Sequence, residues 1–121
     1  GDKVASIFDA AARARVLGAG AVPPKRIRDL VAVAHDARFA AADVRAPTLL
    51  IHSRTDYRIP LPLAQRHQGF FTGTATCEQV WLDGCGHVIT VDFCREQVWA
   101  ATAAWLHRHA GPPTPPPCRA C

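Results

Sequence analysis

Apolar positions along the chain follow two different rhythms. Val4, Ile7, Phe8, Ala11 and Val16 recur among charges over residues 3–17, which predicts an amphipathic helix closed by Gly18 as a glycine C-cap. The stretch GAGAVPP (18–24) reads as a loop whose Pro24 suits the first turn of the next helix. Ile27, Leu30, Val31 and Ala34 repeat at i, i+3, i+4 and i+7, predicting a second helix from Pro24 to Phe39, and Pro47 bars its continuation. Then the rhythm changes. TLLIH (48–52) is β-branched and aliphatic on both faces, the pattern of an interior strand in a parallel sheet. SRTDYRIPLP (53–62) is a loop with two prolines, and Leu63, Ala64, His67 and Phe70/Phe71 predict a short helix after it. CEQVWL (77–82) predicts a second strand. Val98, Ala101 and Trp105 share one face of a closing helix over 93–109, with Asp92 placed to cap it and His107 and His109 in its last turn.

The crossover from Ser53 to Thr76, about two dozen residues with a helix inside it, implies parallel pairing of the two strands. The expected fold class is therefore α/β, with two strands and about four helices. Two strands do not make a stable sheet covered on both faces, so the remaining strands are expected from sequence outside this chain.

Composition narrows the classes. A chain of 121 residues holds at most one small domain, and an apolar share of 49% suits a packed core. The absence of Met and the Gly at position 1 lead us to expect a processed chain or a piece of a longer one. The net charge of +4 comes from scattered Lys and Arg with few aromatics among them, so no nucleic-acid partner is expected. No run of 18 apolar residues exists, so no membrane span is expected, and the chain reads as cytoplasmic. Five cysteines spread over strand, turn, helix and tail suggest no disulfide framework. Cys118-Arg-Ala-Cys121 lacks the second pair a zinc site needs, and it sits beside GPPTPPP (111–117), a polyproline-like tail expected to be disordered.

The candidate chemistry lies after the strands. In VWLDGCGHVITVDF (80–93) an apolar run ends at Leu82, a Gly-Cys-Gly turn follows, and His87 emerges from it. This is either a loop histidine at a tight turn or an imidazole delivered at the C-terminal end of a strand. Parallel strands share a direction, so the loop carrying Asp56 and the loop carrying His87 leave the sheet at one edge, where open α/β sheets build their sites. An acid beside an imidazole is what a nucleophilic hydrolase needs to orient its general base, and a separation of about 2.6–3.2 Å is expected for such a pair. His52 ends a strand and reads as a hydrogen-bonded packing residue. Cys85, His87 and Cys94 offer three metal ligands, without the usual zinc spacing or a fourth partner. Trp81, Trp99 and Trp105 read as packing residues.

APTLLIHSRTDYRIP followed by VWLDGCGHVITVD resembles the C-terminal third of α/β-hydrolase-fold carboxylesterases, especially bacterial esterases similar to monoacylglycerol lipase. The resemblance runs from about Ala46 to His107. It implies that residues 1–45 are part of the cap, residues 46–110 the end of the hydrolase core, and residues 111–121 a tail. It also implies that Asp56 is the triad acid and His87 the general base, in the order Ser, Asp, His. Ser53 and Tyr57 depart from the family at loop positions where Gly and Pro are common. More serious, no G-x-S-x-G occurs, since the only serines are Ser6 and Ser53, so the nucleophile and oxyanion loop are expected elsewhere. The implied activity is hydrolysis of carboxylic esters of short to medium chain, or monoacylglycerols, with a small-molecule ester as partner and no cofactor or metal. The alternative is a non-catalytic binding or metal-binding α/β module.

Overall fold

The computed structural model describes residues 5–16 and 23–111. These form helices α1 (Ala10–Arg15) and α2 (Pro24–Ala40), strand β1 (Thr48–Ser53), helix α3 (Leu61–His67), strand β2 (Cys77–Leu82) and helix α4 (Arg95–His109), with 3₁₀ turns at Ala41–Asp43 and Gln68–Phe70. The result is a small mixed α/β arrangement around a two-stranded sheet. β1 and β2 pair in parallel, with Thr48 opposite Cys77 through to Ser53 opposite Leu82, and α3 lies in the crossover.

Alternation along the strands sorts their side chains between two faces. The Ile51/Val80 and Ser53/Leu82 pairs share one face, while Leu50/Gln79 and His52/Trp81 share the other. The first face meets α4. Leu82, Cys85, Cys94 and Val98 form the buried cluster, and Ile51, Val80 and Ile89 pack half-buried against it. Trp105 is buried on α4, one heptad beyond Val98, whereas Trp99 lies off that stripe and stands 56% exposed, against its expected packing role. No helix among the described residues is long and apolar enough to cross a membrane.

Several expectations about the helices and cysteines meet a different outcome. The first helix spans Ala10–Arg15 only, because the preceding backbone is engaged elsewhere: the Phe8 and Asp9 N–H groups donate to the Asp92 carboxylate, and the Ser6 carbonyl accepts from Val88 N–H. Asp9 then caps α1, accepting from Ala11 and Ala12 N–H at 2.9 and 3.2 Å. Asp92, for its part, does not cap α4, whose N-cap position is Cys94 without a side-chain bond. α2 forms over the expected residues but buries none of them, and Ile27, Leu30 and Val31 are 51%, 67% and 64% exposed. Finally, Cys85 and Cys94 are joined in a disulfide, Cα to Cα 5.9 Å, while Cys77 is free. An odd cysteine count does not exclude a single pair, and the turn after β2 brings the residue before α4 back onto its own strand. Val4, Gly18, the proline-rich tail and Cys118/Cys121 lie outside the described residues.

The disulfide closes a loop with a sequence separation of nine. Cys94→Ala should lower unfolding free energy by about 2–3 kcal/mol through the lost constraint on the unfolded chain. Urea midpoints with and without reductant check this, and identical midpoints for the wild-type chain would show that the two sulfurs are not bonded.

Candidate active site

The ladder does not stop at the last strand residues. Arg54 N–H donates to the Leu82 carbonyl at 2.8 Å, carrying the β1–β2 pairing one bond further. Ser53, fully buried, and Thr55 then send their hydroxyls to the Cys85 carbonyl at 2.5 and 2.8 Å. Thr55 N–H folds back onto Ser53 Oγ at 3.2 Å, a local turn of the kind hydroxyl side chains favour. The loop after β1 and the loop after β2 are thus tied together before either reaches its candidate residue.

Asp56 follows directly. Its Oδ1 accepts the backbone N–H groups of Arg58 (2.7 Å) and Ile59 (3.1 Å), an Asx-type turn that leaves Oδ2 for another partner. That partner is His87, with Nδ1 at 2.9 Å from Asp56 Oδ2. Two residues separated by 31 positions are brought into one hydrogen bond, within the expected range. Burial pushes the Asp56 carboxyl up, but the His87 hydrogen bond, the Ile59 and Arg58 amides and the His87 charge outweigh it, so its pKa lies below the ordinary value. An ionised carboxylate only accepts, so Nδ1 of His87 donates in this bond, and Nε2 is the ring nitrogen left for other partners.

The pair is asymmetric in its exposure. The Asp56 side chain is 2% exposed and that of His87 is 41% exposed. The carboxylate is sealed in the protein while the imidazole faces outward, the arrangement that a general base would need to meet a substrate-bound proton.

His52 is held as expected for a packing residue. Its Nε2 donates to the Ile59 carbonyl at 3.0 Å and stands 3.5 Å from Asp56 Oδ2, with its ring edge-on to Trp81. The cleft of about 80 Å³ between the sheet and α3 is lined by His52, His67 and Trp81 and includes neither Asp56 nor His87. It is therefore no pocket for the pair. The three-ligand metal reading loses its sulfurs, because Cys85 and Cys94 are bonded to each other and neither is a thiolate. Among the described residues, no three His, Cys, Asp or Glu side chains converge for a metal ion.

Sequence reasoning missed the supports of this site. Ser6 is not helical: its carbonyl holds Val88 N–H at 2.9 Å and its hydroxyl accepts from Arg58 Nε at 3.2 Å, so it touches both loops. Asp92 is 0% exposed and accepts Phe8, Asp9, Gly86 and Phe93 N–H groups at 2.8, 2.7, 2.7 and 2.9 Å. Burial pushes its pKa up, and the four backbone bonds more than reverse this, leaving it below the ordinary carboxylate value. Its position five residues past His87, in a turn between Gly86 and the closing helix, was the available signal. No protein-family model and no curated protein matches the chain.

Both carboxyls have lowered pKa values in the folded chain. Each therefore contributes stability that is complete above its unfolded pKa, near 4, and is lost as pH falls through the lower folded value. Urea midpoints should hold level from about pH 7 to pH 5 and drop below about pH 4, and Asp92→Asn should reduce that drop. A wild-type midpoint that does not move between about pH 5 and pH 2 contradicts the assignment.

Proposed function

We propose that this chain is the C-terminal part of an α/β-hydrolase-type serine esterase and supplies the acid–base half of its catalytic machinery. The observation that carries the reading is the buried Asp56 carboxylate holding His87 Nδ1 at 2.9 Å, at the edge where both parallel strands end. The resemblance of residues 46–107 to bacterial carboxylesterases supports the same assignment from the sequence side.

In this reading a serine outside these residues attacks the carbonyl of a carboxylic ester, of short to medium chain or a monoacylglycerol. His87 Nε2 takes the hydroxyl proton as the bond to carbon forms and later returns it to the departing alkoxide. Asp56 keeps the proton on Nδ1 and stabilises the imidazolium while it exists. The rest of the same fold would pair with the open edges of the two-stranded sheet and cover α2.

A cytoplasmic site of action, expected from the sequence, would keep Cys85 and Cys94 reduced, and the disulfide favours an oxidising compartment instead. A binding module is the second reading, favoured by the exposed stripe of Ile27, Leu30 and Val31 on α2.

Turnover of a short-chain chromogenic ester tests the proposal. The chain alone should hydrolyse it no faster than free imidazole at equal concentration, since the oxyanion donors and nucleophile are lacking. In the full-length protein, His87→Ala should be nearly inactive and Asp56→Asn should lose about 10⁴-fold in kcat. A full-length protein active and indifferent to both substitutions returns His87 to a turn residue.

A further inference from the structure

The backbone around His87 is held at three places on either side of it. The Cys85 carbonyl accepts the Ser53 and Thr55 hydroxyls, Gly86 N–H donates to Asp92 Oδ2 at 2.7 Å, and Val88 N–H donates to the Ser6 carbonyl at 2.9 Å. The first anchor comes from the loop after β1, which also carries Asp56. The second and third meet through Asp92, because its Oδ2 takes the N–H of Phe8 as well as that of Gly86.

We propose that Asp92 is a positioning residue for His87, fixing Gly86 and with it the direction in which the imidazole leaves the turn towards Asp56. The packing around Gly86 supports this. A Cβ there would stand 2.6 Å from the Ser6 carbonyl oxygen and 3.2 Å from Asp92 Oδ2, so the turn is pressed against both anchors with no room to drift. Oδ1 adds the N–H groups of Asp9 and Phe93, so one fully buried carboxylate connects the segment before α1, the His87 turn and the approach to α4. A group with only a general folding role could direct those bonds anywhere. Here one falls on the residue immediately before the candidate base. The proposal takes from the esterase reading only the use to which the Asp56–His87 pair is put. Its geometry stands on the anchors.

The test reads the imidazole directly. Diethyl pyrocarbonate acylates a neutral imidazole nitrogen, and mass mapping of the native 121-residue chain gives the rate at each histidine. His35, on the exposed face of α2 and 60% exposed at its side chain, serves as the internal reference. The His87/His35 rate ratio should fall about fivefold in Asp56→Asn, which removes the carboxylate behind the ring. Asp92→Asn should lower it by a similar factor, with a pH profile over about pH 5–8 that follows that of Asp56→Asn. Val98→Ala loosens the same core without touching Asp92, and it should leave the ratio at the wild-type value. An Asp92→Asn ratio equal to that of Val98→Ala overturns the proposal. If Asp92→Asn unfolds the chain, Asp92→Glu is the deciding variant, since it keeps a carboxylate but moves it out of register with Gly86 N–H: a lowered ratio supports positioning and an unchanged one overturns it. A ratio unmoved by Asp56→Asn removes the pair itself, and with it the acid–base reading on which the proposal rests.

Discussion

One buried carboxylate binds three separate stretches of this chain. Removing a charged group from water costs several kcal/mol unless strong hydrogen bonds replace its hydration. Asp92 meets that condition with four backbone N–H donors, from residues as far apart in sequence as Phe8 and Phe93. Charge-assisted bonds of this kind are about twice as strong as neutral ones, which is consistent with a carboxyl that stays ionised despite full burial. The dependence runs in both directions. Without the carboxylate, four amides would be left facing one another in a dry site at about 1–3 kcal/mol each. Without the amides, the charge could not remain where it is. The non-helical start of the chain, the turn after β2 and the approach to α4 are accordingly one structural unit rather than three loops.

That unit meets a second one at the Asp56–His87 hydrogen bond. Ser53 and Thr55 grip the Cys85 carbonyl from the β1 side, and Asp92 and Ser6 grip Gly86 and Val88 from the other. The imidazole therefore stands at a junction whose two halves are fixed independently, and its Nδ1 meets a carboxylate that is itself fixed by two amides. Such over-determination is what keeps an exposed ring in one tautomer. An exposed histidine on an ordinary turn has neither nitrogen committed. The exposure of His87 and the burial of Asp56 thus belong to one arrangement, in which the carboxylate end of the pair lies inside and the imidazole end outside.

Much of this was legible in the sequence, for identifiable reasons. β2 is legible at its observed bounds and β1 within one residue, because short, largely apolar runs between turn-forming loops have few other structural outcomes. Parallel pairing followed from crossover length, and the meeting of Asp56 with His87 followed from parallel pairing. The α2 helix was legible from its period, but its exposure was not, since periodicity gives the apolar face and not the surface that covers it. The first helix was over-extended because Ile7 and Phe8 fit a helical period while their backbone serves Asp92, a contact across 84 positions that no local pattern encodes. The disulfide is not legible from the cysteine count. An odd number of cysteines argues against a framework, and it says nothing about one pair brought together by a turn. Asp92 reads in the sequence as a helix cap and serves in the structure as an anchor. An Asp before a helix is most often its cap, and only the arrival of residues 8 and 9 turns it into an anchor.

The contrast between what this chain completes and what it leaves open bears on how the proposed esterase is built. Among the described residues, the contacts that fix the Asp56–His87 pair come from residues 6–93, and the buried polar side chains have partners there. The apolar surfaces are not so provided for: no residue of α2 is buried, and only Ser53 and Leu82 are buried in the two strands. Polar precision and apolar coverage are thus supplied by different parts of the fold. Hydrogen bonds are directional and hold only at lengths near 3 Å, so the groups that aim His87 have to lie beside it in space, however far apart they stand in sequence. Hydrophobic burial is non-directional, and whatever covers the sheet can come from distant sequence without disturbing the site. On the esterase reading, the nucleophile then has to be carried to a base already oriented, and the rest of the sheet contributes the surface against which that approach is registered.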